Sequence, residues 1–249
     1  MFTTTERAGL RDDLVETAHA DEEIVGAALV GSAAAGLEDA WSDIDLVLQV
    51  SDDAVTDDVI SRWTRRLYDR HGAAHHLDVT AGGVLYRVFF LDSSLQVDIS
   101  FWPEDQFRAT EPAVKVLFGT VEHAPRSSGP DVSQVIGWAW LYALHSRSAI
   151  ARERSWQATM MLDHLRDQLL VLACLRHDLN PHHGREADRL PAAFLDALRS
   201  ARATTTSASE LARAHDALVR MLIDEVTAQD PVLGGRLSTP LEMLARIDE

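Results

Sequence analysis

Gly31-Ser32-Ala33-Ala34-Ala35-Gly36-Leu37-Glu38-Asp39-Ala40-Trp41-Ser42-Asp43-Ile44-Asp45-Leu46-Val47-Leu48 is the stretch that decides the fold of this chain. It follows the apolar run Ile24 to Val30, passes through small and polar residues, and enters a second run of alternating character. Short apolar runs bounded by glycine read as strands, so the stretch joins the end of one strand to a second strand over Asp43 to Val50. Residues two apart in a strand share a face. Asp43 and Asp45 therefore project together, while Ile44, Leu46, Leu48 and Val50 project the other way, into a core. Two carboxylates held side by side repel unless cations lie between them. Hard oxygen ligands of this kind suit Mg²⁺ or Mn²⁺, which take one or two carboxylates and complete their shells with water and phosphate oxygens. At Gly31-Ser32 a strand ends and a helix begins, which leaves backbone N–H groups free and lets a phosphate approach the main chain.

On either side of this stretch the periodicity keeps switching. Thr5 to Ala20 reads as an amphipathic helix, and Val55 to His71 as another that Gly72 stops. His76 to Thr80, Val84 to Leu91 and Leu95 to Phe101 read as strands. Gly82-Gly83 and Asp92-Ser93-Ser94 between them give antiparallel hairpins. In the last strand Leu95, Val97, Ile99 and Phe101 alternate toward the core and Asp98 faces the opposite side. If that strand lies beside Asp43 to Val50, three carboxylates converge.

The order Gly-Ser, ten intervening residues, Asp-x-Asp, and a lone Asp on a later strand resembles the DNA polymerase β-like nucleotidyltransferase superfamily. The fuller form, Gly-Ser-x-Ala-x-Gly followed by Ser-Asp-Ile-Asp-Leu, is similar to its small-molecule branch, which includes the aminoglycoside and lincosamide nucleotidyltransferases. The resemblance covers roughly the first hundred residues. It implies that Gly31 and Ser32 hold the β- and γ-phosphates of a nucleoside triphosphate, with Ser42 also on the nucleotide side. It implies that Asp43 and Asp45 bind two Mg²⁺ or Mn²⁺ ions, and that Asp98 binds the catalytic one and accepts the proton of an acceptor hydroxyl. Catalytic roles fall on the same Asp43, Asp45 and Asp98. Ala35 departs from the pattern, since many relatives carry Arg or another polar residue there, and no phosphate contact is expected from its side chain.

Beyond Val132 the pattern is almost wholly helical, over Val132 to Arg154, Trp156 to His177, Pro191 to Arg202, Ser207 to Ala228 and Thr239 to Ile247. The stretch Ala124-Pro125-Arg126-Ser127-Ser128-Gly129-Pro130 separates the two regimes. The expected fold is therefore α+β: a nucleotidyltransferase domain over 1–124 with a mixed sheet and flanking helices, then a helical bundle over 131–249. Trp138, Trp140, Trp156, Met160 and Met161 could line a ligand cleft, but their spacing reads first as core. The acceptor is expected in the cleft between the two parts.

Composition narrows the partners. Thirty-nine acidic against 23 basic residues give a formal charge of -16, which repels phosphate backbones and attracts cations. A nucleic-acid acceptor is disfavoured and a cationic small molecule favoured. Cys174 is the single cysteine, so no disulfide framework or cysteine-rich metal site is expected. The N-terminus lacks the basic segment and apolar run of a secretory signal, and no run approaches the ~18 apolar residues of a membrane span. A cytoplasmic enzyme with no membrane association is expected.

Other motifs carry less. Glu104 and Asp105 after Pro103 read as a first helical turn, with an additional base at Glu104 as the alternative. Asp163 and Asp167 share a helix face and could bind a cationic acceptor, but the pair reads first as solvated and relieved by Arg166. His75-His76 and His182-His183 lack structural zinc spacing. No Gly-x-x-x-x-Gly-Lys occurs, which argues against a P-loop kinase. Two other readings stay open: nucleotidylation of a separate protein target, and a nucleotide-binding regulator without turnover.

Overall fold

A computed structural model describes residues 2–109, 113–123 and 129–247. Most of the expected linker, residues 124–128, lies outside them. The chain forms two compact units, Met1–Ser127 and Ser128–Glu249.

The first unit is built on a six-stranded mixed sheet. Its elements are α1 (Thr4–Ala20), β1 (Ile24–Leu29), α2 (Gly31–Ala35), β2 (Ile44–Val50), α3 (Thr56–His71), β3 (Ala73–Ala81), β4 (Val84–Leu91), β5 (Gln96–Pro103), β6 (Arg108–Ala109), β7 (Lys115–Phe118) and β8 (Glu122–His123). The sheet order is β3-β4-β5-β2-β1-β7, and β6 pairs with β8 separately. The one parallel neighbour pair in the large sheet is β2 with β5; its other pairs are antiparallel. A parallel pair needs a long crossover, and here α3 and the β3-β4 hairpin supply it.

Alternation decides the two faces of the sheet. Ile44, Leu46 and Leu48 of β2 and Val97, Ile99 and Phe101 of β5 are buried with Leu14 and Ala18 of α1 and with Val59, Trp63 and Leu67 of α3. Trp63 and Phe89 are among the largest fully buried side chains, and burial of rings of that size contributes roughly 1.5–3 kcal/mol each. On the other face Val47 meets Ala28 and Phe107, and Gln49 Nε2 donates to the Thr120 carbonyl at 2.8 Å.

The expected strands are present with small shifts. β3 begins at Ala73, three residues before the expected start, and β2 begins at Ile44 rather than Asp43. The edge strand β7 was not expected; antiparallel pairing with β1 draws its four residues into the sheet. Glu104 and Asp105 lie in a turn after β5, not in a helix, and Glu104 Oε2 accepts the Asp52 N–H at 3.4 Å.

The second unit is a helical bundle: α4 (Val132–Ala151), α5 (Ser155–Arg176), α6 (Ala192–Ala201), α7 (Ala208–Gln229) and α8 (Pro231–Ala245), with two short 3₁₀ turns before α6. α8 starts eight residues before the expected Thr239 and runs through Pro240. Asp230 caps it, accepting the N–H groups of Val232 and Leu233 at 2.9 Å each, and Pro231 sits at the first position, where its missing donor costs nothing. Gly234-Gly235 looks like a helix breaker in sequence, yet it serves close packing. A Cβ at Gly234 would lie 2.7 Å from the Cα and Oγ1 of Thr227 on α7. Of the tryptophans and methionines expected in the core, Trp138, Trp140, Trp156 and Met160 are instead exposed, with Trp156 77% and Met160 57% accessible, and Met161 is half-buried. Leucine, alanine, valine and isoleucine fill this core. Among the described residues no helix is long and apolar enough to cross a membrane.

Candidate active site

Gly31 has φ +63, a backbone conformation that disfavours any side chain. The site also leaves no room for one, because an ideal Cβ would lie 2.3 Å from Asp45 Oδ2. The Val30 N–H donates to the Asp45 carbonyl at 3.2 Å, so the turn out of β1 is tied to the strand that carries the carboxylate. Ser32 Oγ is buried and has no hydrogen-bond partner among the described residues. A buried hydroxyl normally finds a partner; one left over beside a carboxylate cluster is a donor available to a bound group.

Asp45 and Asp98 are direct neighbours in the parallel β2-β5 ladder, in register with Ile44↔Val97 and Leu46↔Ile99. Both point away from the α1-α3 core, as does Asp43 just before β2. One carboxylate oxygen from each of Asp43, Asp45 and Asp98 lies within 4.8 Å of the others, and all three residues are half-buried. Among the described residues this is the one group of three or more acidic, histidine or cysteine side chains close enough to share an ion. Burial pushes the Asp98 carboxyl up to about 6; the Gln96 amide opposes this and the nearby Asp43 charge adds to it. Gln96 Nε2 donates to both Asp98 oxygens, at 3.0 and 3.2 Å.

The third expected nucleotide residue, Ser42, has its hydroxyl engaged within its own loop. Ser42 Oγ accepts the Asp39 N–H at 2.9 Å and donates to Asp39 Oδ1 at 3.2 Å, while the Trp41 N–H donates to Asp39 Oδ1 at 2.8 Å. That N–H is the main reason the Asp39 carboxyl sits below its ordinary value. The same loop is tied to α1. Arg7 Nη1 donates to the carbonyls of Asp39 and of Ser42, the latter at 3.1 Å, and Arg11 Nη1 donates to Glu38 Oε2 at 2.7 Å.

Arg7 and Gln96 escape a reading by sequence alone. The one signal for Arg7 is its register, since it falls on the helix stripe of Leu10, Leu14 and Ala18, where an apolar residue is the rule. Gln96 lies two residues before Asp98 and so on the same strand face, a position that any polar residue could occupy.

The remaining polar motifs are accounted for locally. Arg166 bridges Asp163 and Asp167 at 2.5 and 2.8 Å. His76 Nδ1 meets the Tyr68 hydroxyl at 2.9 Å. His182 and His183 stack on each other in an exposed 3₁₀ turn.

No family model matches the chain, and no curated protein matches it. Among solved structures, an aminoglycoside 6-adenyltransferase from Bacillus subtilis is similar over 96% of this chain and 98% of that one, with 13% identity and a TM-score of 0.40.

Proposed function

We propose that this chain is a metal-dependent nucleotidyltransferase that moves a nucleoside monophosphate, with ATP as the donor of AMP, onto a hydroxyl of a small acceptor and releases pyrophosphate. The observation that carries the reading is the approach of the Asp43, Asp45 and Asp98 carboxylates to within 4.8 Å on one sheet face, next to a glycine turn. Three features fit two Mg²⁺ or Mn²⁺ ions and a triphosphate. The donor set is all hard oxygen. The Gly31 turn is open where a Cβ would press on Asp45, and the buried Ser32 hydroxyl has a bond to give.

In this reading Asp43 and Asp45 would hold both ions and Asp98 one of them. Bound there, the ions would lower the pKa of the acceptor hydroxyl and neutralise charge on the departing pyrophosphate. Gly31 and Ser32 would hold the β- and γ-phosphates through a main-chain N–H and the free hydroxyl. Asp98 would take the hydroxyl proton; its carboxyl, raised to about 6 by burial in the metal-free protein, would be held ionised by a bound cation and so be free to accept it. The catalytic task is positioning and charge stabilisation. With a formal charge of -16, a cationic acceptor such as an aminoglycoside is favoured over an anionic one.

The test is incubation with each nucleoside triphosphate, Mg²⁺ or Mn²⁺, and a panel of aminoglycosides, lincosamides and hydroxylated metabolites, with products read by mass and pyrophosphate assayed. A product heavier by one nucleoside monophosphate, with equimolar pyrophosphate, is expected, and Asp98→Asn should abolish it. Tight metal-dependent nucleotide binding without product from small molecules or added protein would instead favour a regulator without turnover.

A further inference from the structure

We propose that Arg7 is a positioning residue for the carboxylate triad: its grip on the Ser42 carbonyl sets the place of Asp43, the one member that the sheet does not hold. The inference rests on the metal-centre reading above.

The three aspartates are held differently. Asp45 and Asp98 lie within β2 and β5 and face each other in the ladder, so backbone pairing fixes their separation. Asp43 lies one residue before β2, and the ladder with β5 begins only at Ile44↔Val97. Its position is therefore inherited from the loop that precedes it.

Arg7 restrains that loop. It is 4% exposed, one of the few buried charged side chains among the described residues. Its Nη1 donates to the carbonyls of Asp39 and Ser42, at the two ends of the turn that leads into Asp43. The Ser42 carbonyl and the Asp43 amide belong to one planar peptide unit, so a bond to the first orients the second. Glu38 completes the clamp, with Oε1 3.4 Å from Arg7 Nε and Oε2 2.7 Å from Arg11 Nη1.

A structural need for a charge here is hard to find. Arg7 falls on the apolar stripe of α1, where an apolar residue is the rule, and a buried guanidinium costs several kcal/mol unless its bonds repay it. Arg7 is not fully repaid, since its Nε is buried without a good hydrogen bond. What the guanidinium provides that leucine cannot is two donors for the carbonyls of a loop that places a metal-binding carboxylate. Residues that orient ligands from behind in this way typically set metal affinity by about 10- to 100-fold.

The experiment is a double-mutant cycle on Mn²⁺ binding, measured on the full chain by calorimetry and by loss of the free-ion spin-resonance signal. Circular dichroism melts in chelator serve as the fold control. The variants are Arg7→Met, Asp43→Asn, the two combined, and Arg7→Lys. Arg7→Met should bind Mn²⁺ about tenfold or more weaker than the parent, and the double variant should be no weaker than Asp43→Asn alone, because Arg7 acts through Asp43. Arg7→Lys, which keeps the charge but not the fork, should fall between. Parent-like affinity in Arg7→Met, or losses that add in the double variant, overturn the proposal. Should Arg7→Met not fold, Arg7→Lys decides: a several-fold loss supports the proposal and parent-like affinity overturns it. A parent that binds no Mn²⁺ overturns the metal-centre reading and this inference together, whereas a parent that binds while Arg7→Met binds equally overturns this inference alone.

Discussion

Replacing Asp98 by asparagine should stabilise the metal-free protein at neutral pH and destabilise its metal-bound form relative to the parent. The Asp98 carboxyl is raised to about 6, first by burial, with the Asp43 charge adding to it against the Gln96 amide. An aspartate whose folded pKa exceeds its unfolded value of about 3.9 favours folding while protonated. That contribution is complete below about pH 4 and is lost as the pH rises through about 6. The full shift corresponds to about 3 kcal/mol, and allowance for solvent screening of a half-buried group brings this to roughly 1–2 kcal/mol at pH 7.5. Asparagine mimics the protonated acid and keeps an oxygen for the Gln96 amide. In chelator, Asp98→Asn should therefore melt about 3–6 °C above the parent at pH 7.5 and only about 1–3 °C above it at pH 4.5, where most of the penalty is relieved. Added Mn²⁺ should reverse the order, because an ion a hundredfold above its dissociation constant stabilises the parent by about 2.7 kcal/mol and the variant by much less. Melts at the two pH values, with and without Mn²⁺, measure all of this. An Asn variant no more stable than the parent at pH 7.5 in chelator would refute the electrostatic reasoning, and equal Mn²⁺ stabilisation of both proteins would remove Asp98 from the metal centre.

Gly31→Val should abolish metal-dependent nucleotide binding in a calorimetric titration, since its Cβ meets Asp45 Oδ2 at 2.3 Å. Gly36→Ala, with open space but φ +68, should cost only ~1 kcal/mol of stability and leave binding largely intact. In the helical unit Gly234→Ala should destabilise by ~1–3 kcal/mol in a urea titration, because the added methyl meets Thr227 at 2.7 Å. Gly235→Ala, with nothing within 4 Å, should instead be neutral or stabilising by up to ~1 kcal/mol. His215 is buried between the Ser146 hydroxyl and the Leu244 carbonyl, at 2.8 Å from each, and burial lowers its pKa. A histidine held neutral in this way supports folding above its unfolded pKa and ceases to as the pH falls below about 6.5. The helical unit should therefore lose stability from pH 7 to 5, and His215→Gln, weaker at pH 7, should show a flatter profile.

Much of this protein is legible in its sequence because its signals are local. Alternation alone places Ile44, Leu46 and Leu48 on the core side of their strand and Asp45 on the other, since strand side chains alternate whatever surrounds them. The same rule turns Asp98 away from Val97 and Ile99, and Gly72 stops α3 through its own left-handed conformation. Other features depend on partners far away in the chain. That β5 lies parallel to β2, in the register that sets Asp98 opposite Asp45, is decided by the route of the chain through α3 and a hairpin, which no local pattern encodes. The start of α8 is not legible in the sequence, because the contact that suits Gly234 to a helix interior, with Thr227 of α7, exists only in the folded chain. The register of Arg7 marks it as out of place on an apolar stripe, but its partner is visible only once the loop ending at Ser42 folds over it. Local rules of backbone and alternation thus determine which face each carboxylate takes, while only tertiary structure decides that the three meet and what holds them, because those distances depend on packing between distant segments.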